Sequence, residues 1–303
     1  MFLLSIFVSS VRPANGVAIA QFTDPSLQTR AYGLQRMAGN LGFSIGPAIG
    51  GVLAEIDFVW LFIVDGISTG FGGLFLMWFF GFGKNVPADE AAKIQKQAAQ
   101  KDRSSGSPLL DGHFLCFLFL ILLVSIVFFQ FHATYPKYLE DEYVLTKPQI
   151  GLMFSVNTAV IVVFEMLLLN CVSRFSLLRT IGWGCFFVCL GFGMLPAGHA
   201  AWFAVLSMVV ITTGEMLMFP LASGFVAARS TGRNQGMYMS WYVMTFSLAA
   251  VIAPLVGTAV YELGHSLFWH FSLGIGVFAL IGLTWLSRSV ESRPAKAQVA
   301  NAS

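Results

Sequence analysis

Long runs of apolar residues recur along the chain and are separated by shorter polar stretches. A helix needs about 20 mostly apolar residues to cross the hydrocarbon core of a bilayer. Nine segments meet this requirement, so the pattern predicts an all-α integral membrane protein with nine transmembrane helices. The predicted spans are residues 2–22, 34–54, 59–82, 114–135, 149–172, 180–198, 201–225, 238–261 and 266–287.

One polar stretch, residues 83–112, is much longer than the other connections. It alternates acidic and basic residues, ends in a Ser-Ser-Gly-Ser-Pro sequence and allows a short amphipathic helix around 87–101. Such a composition is typical of a flexible linker. We therefore predict four parts: a partial N-terminal bundle of three helices, a cytoplasmic central linker, a C-terminal six-helix bundle and a cytoplasmic tail. Their bounds are 1–82, 83–112, 113–290 and 291–303.

The composition supports a membrane protein and argues against soluble classes. Of the 303 residues, 56% are hydrophobic and 11% are charged, whereas soluble domains have about 25% charged residues. The net charge is only +2 and the basic residues form no dense cluster, which argues against nucleic-acid binding. The cysteines lack metal-ligand spacing and fit small core residues, so we expect no metal and no cofactor. They are Cys116, Cys171, Cys185 and Cys189.

The distribution of basic residues predicts the orientation of the chain. Cytoplasmic loops carry an excess of Lys and Arg. Most of the 17 basic residues fall in alternate connections, and these include the central linker and the C-terminal tail. We therefore expect the linker and the C-terminus in the cytoplasm, with residue 1 outside the cell inner (plasma) membrane. The basic residues assigned to loops on this side include Arg30, Arg36, Arg174, Arg179, Arg229, Arg233, Arg288, Arg293 and Lys296.

An internal repeat is indicated by proline spacing. The same offset separates Pro13 from Pro220 and Pro47 from Pro254. Transporters are often built from repeated helical units. If the first and second spans correspond to the seventh and eighth, the N-terminal part lacks counterparts of three helices. We therefore expect a chain that lacks the first three helices of its architecture.

The second predicted span contains a glycine-proline motif. Gly42, Gly46 and Gly50 recur every four residues, with Pro47 and Gly51 beside them. Glycines at this spacing form a smooth helix face that another backbone can approach closely, and proline allows a bend. The glycine spacing alone is typical of any closely packed membrane helix, whereas the complete string of glycines and proline is a more specific motif.

This string resembles the antiporter motif in the fifth helix of the drug:proton antiporter branch of the major facilitator superfamily. The sequence around Arg12, with Gly16 four residues later, is similar to that family's fourth-helix motif, and Asp24-Pro25 with Arg30 and Gly33 to its following loop. The resemblance implies helices four to twelve of a twelve-helix fold. The expected gating loop at Val172–Arg179 keeps basic residues but lacks the family's Gly and Asp.

Charged residues inside the predicted spans are candidates for function. A charge at mid-bilayer costs at least about 2.5–3.5 kcal/mol, so it is rarely retained without a role. Glu215 lies mid-span, where the family resemblance implies a proton-coupling cavity residue, and Arg12 is expected to hold an anionic group or pair with an acid. Glu165, Gln130 and His132 are further candidates for the cavity. Static polar contacts remain the alternative for each, and more so for Asp65.

Taken with the resemblance, these residues lead us to expect a secondary active transporter of a small organic solute. The resemblance implies proton-coupled efflux by alternating access, with a small-molecule substrate and protons as partners in a lipid bilayer, and we expect a monomer. The alternatives are a proton-coupled uptake permease or a transport-incompetent truncated remnant. A membrane enzyme is disfavoured because the five histidines are scattered and no nucleophile lies beside a base.

Overall fold

The computed structural model describes residues 15–20, 22–24, 26–80, 108–229 and 233–300. Within these ranges the regular structure is entirely helical. A short helical segment at 15–20 precedes nine helices, which we number in chain order. They are α1 (Gln28–Ile56), α2 (Phe58–Phe80), α3 (Gly112–Phe128), α4 (Thr134–Asp141), α5 (Lys147–Val172), α6 (Leu177–Gly193), α7 (Ala201–Arg229), α8 (Arg233–Leu263) and α9 (Leu267–Ala300).

Six stretches of the described chain are long and apolar enough to cross a membrane, and all six lie in the C-terminal part. They are Gly112–His132, Pro148–Val172, Leu177–Ala197, Ala201–Arg229, Gly236–Leu263 and Leu267–Val290. A shorter apolar stretch, Phe62–Trp78, lies in α2. The predicted first span lies largely outside the described residues, as does most of the predicted linker. The number of nine spans therefore stays a prediction.

Several helix starts follow from capping residues in the sequence. The Asp111 side chain accepts a hydrogen bond from the Phe114 backbone N–H at 3.2 Å and caps α3. Thr146 and Gln149 form a capping box at the start of α5, where Pro148 occupies the first turn. Asp57 separates α1 from α2, and its carboxylate accepts from the Val59 N–H at 2.9 Å. Such caps satisfy N–H groups that have no partner within the helix.

The predicted span 114–135 is interrupted in the structure. The α-helix ends at Phe128, a 3-10 turn covers Phe129–His132, and α4 begins at Thr134. Pro136 explains the break, because proline cannot donate a backbone hydrogen bond and its ring crowds the carbonyl four residues earlier. The fully buried Gln130 fills the break and donates from Nε2 to the Ala253 carbonyl of α8 at 2.7 Å.

The core of the C-terminal part forms where α6 packs between α7 and α9. Gly184 permits the close approach of α6 and α7, because a Cβ there would lie 2.7 Å from the Met218 backbone nitrogen. At one end of this core, the rings of Phe192 and Trp269 stack with centroids 5.6 Å apart. Trp269 also meets Tyr138 of α4 edge-on at 5.3 Å.

Helix α1 packs against both α5 and α7 and so joins the N-terminal part to the C-terminal part. Two glycines allow this contact. A Cβ on Gly33 of α1 would lie 2.6 Å from the Leu169 Cδ1 atom of α5, and one on Gly224 of α7 would lie 2.7 Å from Thr29 Oγ1 of α1. The helix backbones therefore lie close together at this junction.

The structure corrects the assignment of Arg30 and Arg36 to a loop. Both residues lie within α1, which begins at Gln28, six residues before the predicted span. Once Pro25 is passed, no proline or glycine stops the helix before Gly33, and the charges are matched by polar groups on neighbouring helices. Arg36 donates to Glu165, and Arg30 donates to the Asn170 side chain.

Candidate functional site

The candidate site is built around Arg36, which contacts two acidic residues on different helices. Arg36 Nε donates to Glu165 Oε1 of α5 at 3.0 Å, and Nη1 donates to Glu215 Oε2 of α7 at 3.2 Å. The exposed fractions of the three side chains are 15% for Arg36, 0% for Glu165 and 5% for Glu215. One partly buried guanidinium is thus shared by two buried carboxyl groups. We call these three residues the ionic cluster.

Two neutral residues complete the surroundings of Glu215. Asn157 of α5 donates from Nδ2 to Glu215 Oε1 at 2.8 Å and to Thr212 Oγ1 at 2.9 Å. The Thr212 hydroxyl in turn donates to the Met208 carbonyl at 2.7 Å. Both oxygens of Glu215 therefore face donors, one from each of two helices.

The segment at 15–20 is tied to α1 beside the ionic cluster. The Tyr32 hydroxyl donates to the Gly16 carbonyl at 2.7 Å, and Gln28 Nε2 donates to the Ala20 carbonyl at 2.9 Å. Both bonds are buried, where a hydrogen bond left unmade costs about 1–3 kcal/mol. They fix the orientation of α1 and, with it, the position of Arg36.

A cavity of about 480 Å³ adjoins the ionic cluster between α1, α7 and α8. Arg36 is the charged residue in its lining, and its guanidinium carbon lies 5.6 Å from the centroid of the Phe219 ring. Aromatic rings with a few polar groups are typical of sites for small organic ligands. The lining residues are Tyr32, Gln35, Arg36, Gly39, Asn40, Phe129, Phe219, Pro220, Ser223, Tyr242, Val243 and Phe246.

The residues selected from the sequence fall into two groups. Glu165 and Glu215 lie together in the ionic cluster, whereas Gln130 and His132 are absent from the lining of the cavity. Gln130 is buried and accepts from the Thr134 hydroxyl at 2.8 Å besides its bond to α8. His132 is exposed and stacks on the Phe154 ring with centroids 6.2 Å apart.

Other candidates are exposed, lie outside the described residues, or are located only by their place in α1. Arg12 belongs to the undescribed stretch 1–14, so its pairing stays a prediction. Asp65 lies on the exposed surface of α2. Gly42 is exposed within α1, and a Cβ there would meet no described atom within 4 Å. The remaining motif residues also lie within α1: Gly46, Pro47, Gly50 and Gly51.

Sequence reasoning missed Arg36 and Asn157 as members of the site. A usable signal existed for Arg36, because it lies inside the predicted span 34–54 and a charge there needs a partner. Asn157 also lies inside a predicted span, but a single neutral amide is common in membrane helices. Only the helix packing reveals that it faces Glu215.

A second, more polar cavity of about 470 Å³ lies in the C-terminal part, near the end of α4 and the start of α9. His199, His265 and His270 line it together with Glu142, whose Oε1 lies 2.6 Å from His265 Nδ1. Within the described residues, no group of three or more His, Cys, Asp or Glu side chains is placed to hold a metal ion.

Comparison with known proteins identifies the family. The sequence model of the Major Facilitator Superfamily matches residues 1–143 and 132–302. The chain belongs to this superfamily. It is thus a multi-pass membrane protein of a family of transporters and not an enzyme, as expected from the sequence. Membrane transport of small molecules is the general activity of the superfamily.

Relatives of this superfamily member include proteins named for drug resistance. It is 24% identical over 92% of its length to the uncharacterized MFS-type transporter YqjV of Bacillus subtilis (strain 168). It is 24% identical over 86% to the class D tetracycline resistance protein of Salmonella ordonez, and 22% identical over 90% to multidrug resistance protein 1 of Bacillus subtilis (strain 168). These alignments cover 68%, 66% and 69% of the respective relatives.

A solved structure supports the fold of the superfamily member. The crystal structure of the human organic anion transporter MFSD10 (TETRAN) aligns with a TM-score of 0.67 at 18% sequence identity. The alignment covers 90% of this chain and 67% of that one. The chain therefore spans about two thirds of the length of the proteins it matches.

Proposed function

We propose that the protein is a proton-coupled secondary active transporter of a small organic solute, which works by alternating access. The ionic cluster is the observation that carries this proposal. It joins α1 to α5 and α7 across the junction of the two parts of the chain, directly beside a cavity. Because the cluster connects α1 to α5 and α7, a movement of α1 away from these helices would change the environment of both acids. It would thereby change whether one of the acids holds a proton.

The charges of the cluster supply the link to protons. Two carboxylates and one guanidinium carry a net negative charge, and a buried uncompensated charge is strongly unfavourable. The closed arrangement therefore favours one bound proton. When α1 moves away from α5 and α7, water reaches the acids and the proton is free to leave. Proton binding and helix closure thus favour each other.

The lining of the cavity supports an amphipathic solute. Phe129, Phe219 and Phe246 offer aromatic surface, while Gln35 and Ser223 offer hydrogen-bonding groups. Relatives named for tetracycline resistance and multidrug resistance favour efflux over uptake. The glycine-proline motif in α1, which resembles that of antiporters, favours the same direction.

The proposal includes a place in the membrane. We propose that the chain contributes helices corresponding to four to twelve of the superfamily fold, and that the C-terminus faces the cytoplasm of the cell inner (plasma) membrane. The excess of basic residues in alternate connections supports this orientation. Arg36 no longer counts toward that excess, because it pairs with acids inside the helix packing.

Transport in proteoliposomes tests the proposal. The full chain is reconstituted, a pH gradient is imposed, and uptake of ethidium or tetracycline into the vesicles is measured. We expect gradient-driven uptake by the wild type and its loss in Glu165→Gln or Glu215→Gln, because either variant leaves one acid for one guanidinium. Asp65→Asn is the matched control, since Asp65 is an exposed acid on α2, which contributes no residue to the cluster. Unchanged gradient-driven uptake in both Gln variants would contradict the proposal.

A further inference from the structure

The two carboxyl groups of the ionic cluster have different hydrogen-bond partners. Glu215 Oε1 accepts from Asn157, and its Oε2 accepts from Arg36. Glu165 Oε1 accepts from Arg36, but its Oε2 is buried and meets no hydrogen-bond partner. Of the four oxygens, Glu165 Oε2 is thus the one without a donor in the described structure. Hydrogen bonds donated to a carboxylate stabilise its charged form.

The orientation of the Asn157 amide follows from Thr212. The Thr212 hydroxyl gives its single hydrogen to the Met208 carbonyl, so toward Asn157 it can only accept. Asn157 must therefore turn its NH2 group toward Thr212, and the same group faces Glu215 Oε1. A proton on Glu215 would find donors at both oxygens and no acceptor. Glu215 is consequently suited to the ionised form.

We infer that Glu165 carries the coupled proton, on Oε2, and that Asn157 is the positioning residue that keeps the proton off Glu215. The inference rests on the proposed proton coupling. It reverses the ranking from the sequence, in which the mid-span Glu215 came first. Asn157 and Glu215 lie on neighbouring helices, α5 and α7, of the C-terminal part. Their bond therefore persists when α1 withdraws Arg36.

The charged groups around Glu165 are few. Arg36 faces it from α1 and Glu215 lies beyond Arg36 on α7. Toward the side of the membrane that we predict to be cytoplasmic, Arg30 of α1 donates to the Asn170 side chain of α5. When α1 moves away, Glu165 loses its hydrogen-bonded partner in this structure and meets water instead. Release of the proton from Oε2 then accompanies opening.

Infrared titration of single-acid variants tests the assignment without any transport measurement. The full chain in lipid nanodiscs is titrated, and the carboxylic-acid C=O band is followed in difference spectra. Glu215→Gln leaves Glu165, and Glu165→Gln leaves Glu215. We expect the remaining Glu165 to bind its proton at a pH about one unit higher than the remaining Glu215 does, because Glu215 keeps an additional donor. The opposite order overturns the assignment.

A second pair of variants isolates the role of Asn157. Adding Asn157→Leu to Glu165→Gln should raise the titration midpoint of Glu215 by about one pH unit, while adding it to Glu215→Gln should leave Glu165 unchanged. Thr158→Val is the control, because the Thr158 hydroxyl bonds to the Phe154 carbonyl of its own helix. Equal shifts of both acids would refute a specific role for Asn157. If the Leu variants fail to fold, the order of the first two midpoints still decides the assignment.

The transport assay tests the proposed function, the infrared titration tests the assignment of the proton to Glu165, and either can be refuted without the other. A wild type that shows gradient-driven transport but the reversed order of midpoints refutes the proton assignment alone. A wild type without gradient-driven transport refutes the proposed function, whatever the order of the midpoints.

Discussion

At the scale of single residues, Arg36 decides the character of the site. Its guanidinium reaches two acids through different nitrogens, which a lysine with a single nitrogen reproduces poorly. Glu165 and Glu215 were recognisable in the sequence as charges within apolar spans. Arg36 is a charge within a predicted span as well, but that it pairs with both acids was not predictable, because the pairing depends on how α1 packs against α5 and α7. A pattern along one helix contains no information about its neighbours.

Removing the guanidinium should destabilise the closed arrangement. In Arg36→Leu two buried carboxyl groups lose their counter-charge, and breaking a buried pair typically costs about 3–5 kcal/mol. We expect a clearly lower thermal unfolding temperature in detergent at neutral pH. Addition of Glu165→Gln to this variant should restore part of the loss. Arg174→Leu, at an exposed position, is the control and should unfold near the wild-type temperature.

A second charged contact lies at one end of the C-terminal part. Arg229 donates to Asp111 through Nε at 2.9 Å and through Nη2 at 2.8 Å, and the Tyr238 hydroxyl donates at 3.2 Å. Burial by itself raises the pKa of Asp111. The bonds from Arg229, Phe114 and Tyr238 outweigh it and lower the pKa below its ordinary value of 3.8.

This lowered pKa predicts a pH-dependent stability. The contribution of Asp111 is fully present above the unfolded-state pKa and is lost as the pH falls through the lower folded-state pKa. We expect the difference in unfolding temperature between wild type and Asp111→Asn to be constant from about pH 6 to 7 and to shrink below about pH 4. A difference that stays constant to about pH 3 would show that the charge of Asp111 is irrelevant.

At the scale of helices, caps and prolines were readable from the sequence, whereas helix lengths were not. Three helices begin where a capping side chain is present in the sequence: α2 after Asp57, α3 after Asp111 and α5 at the Thr146–Gln149 capping box. The break before α4 follows from Pro136 but was hidden by the continuous apolar run around it. The extension of α1 to Gln28 was also hidden, because the polar residues of its first turns are matched by α5.

The junction of α1 and α5 depends on the absence of a side chain at Gly33. In Gly33→Leu the added atoms would overlap with Leu169 and crowd Met166, so α1 should move away from α5. Cysteines at positions 30 and 170, in a chain with Cys171→Ser, report the separation. We expect their cross-linking by a short bis-maleimide to fall several-fold. Gly42→Leu is the matched control, since a Cβ on Gly42 would meet no described atom within 4 Å, and equal cross-linking in all three proteins would be evidence against this junction.

At the scale of the whole molecule, the fold class and family were predictable from the sequence. The apolar runs were enough to predict a helical membrane protein. The glycine-proline motif, together with the motifs around Arg12 and Arg30, was enough to predict the superfamily. The site was predictable only in part. Two acids were found by their cost in a bilayer, but the guanidinium that joins them and the amide that distinguishes them are brought to the acids only when three helices pack together.

The close packing of α1 has a consequence for the tightness of the membrane. At Gly33 the Leu169 side chain of α5 packs directly onto the α1 backbone, and at Gly224 the Thr29 side chain of α1 packs directly onto the α7 backbone, so these two contacts leave no room for a file of water molecules. Such a file would conduct protons through the protein without any solute. We expect a larger residue at either position to separate the helices, so that a pH gradient across the vesicle membrane decays faster even in vesicles that contain no substrate.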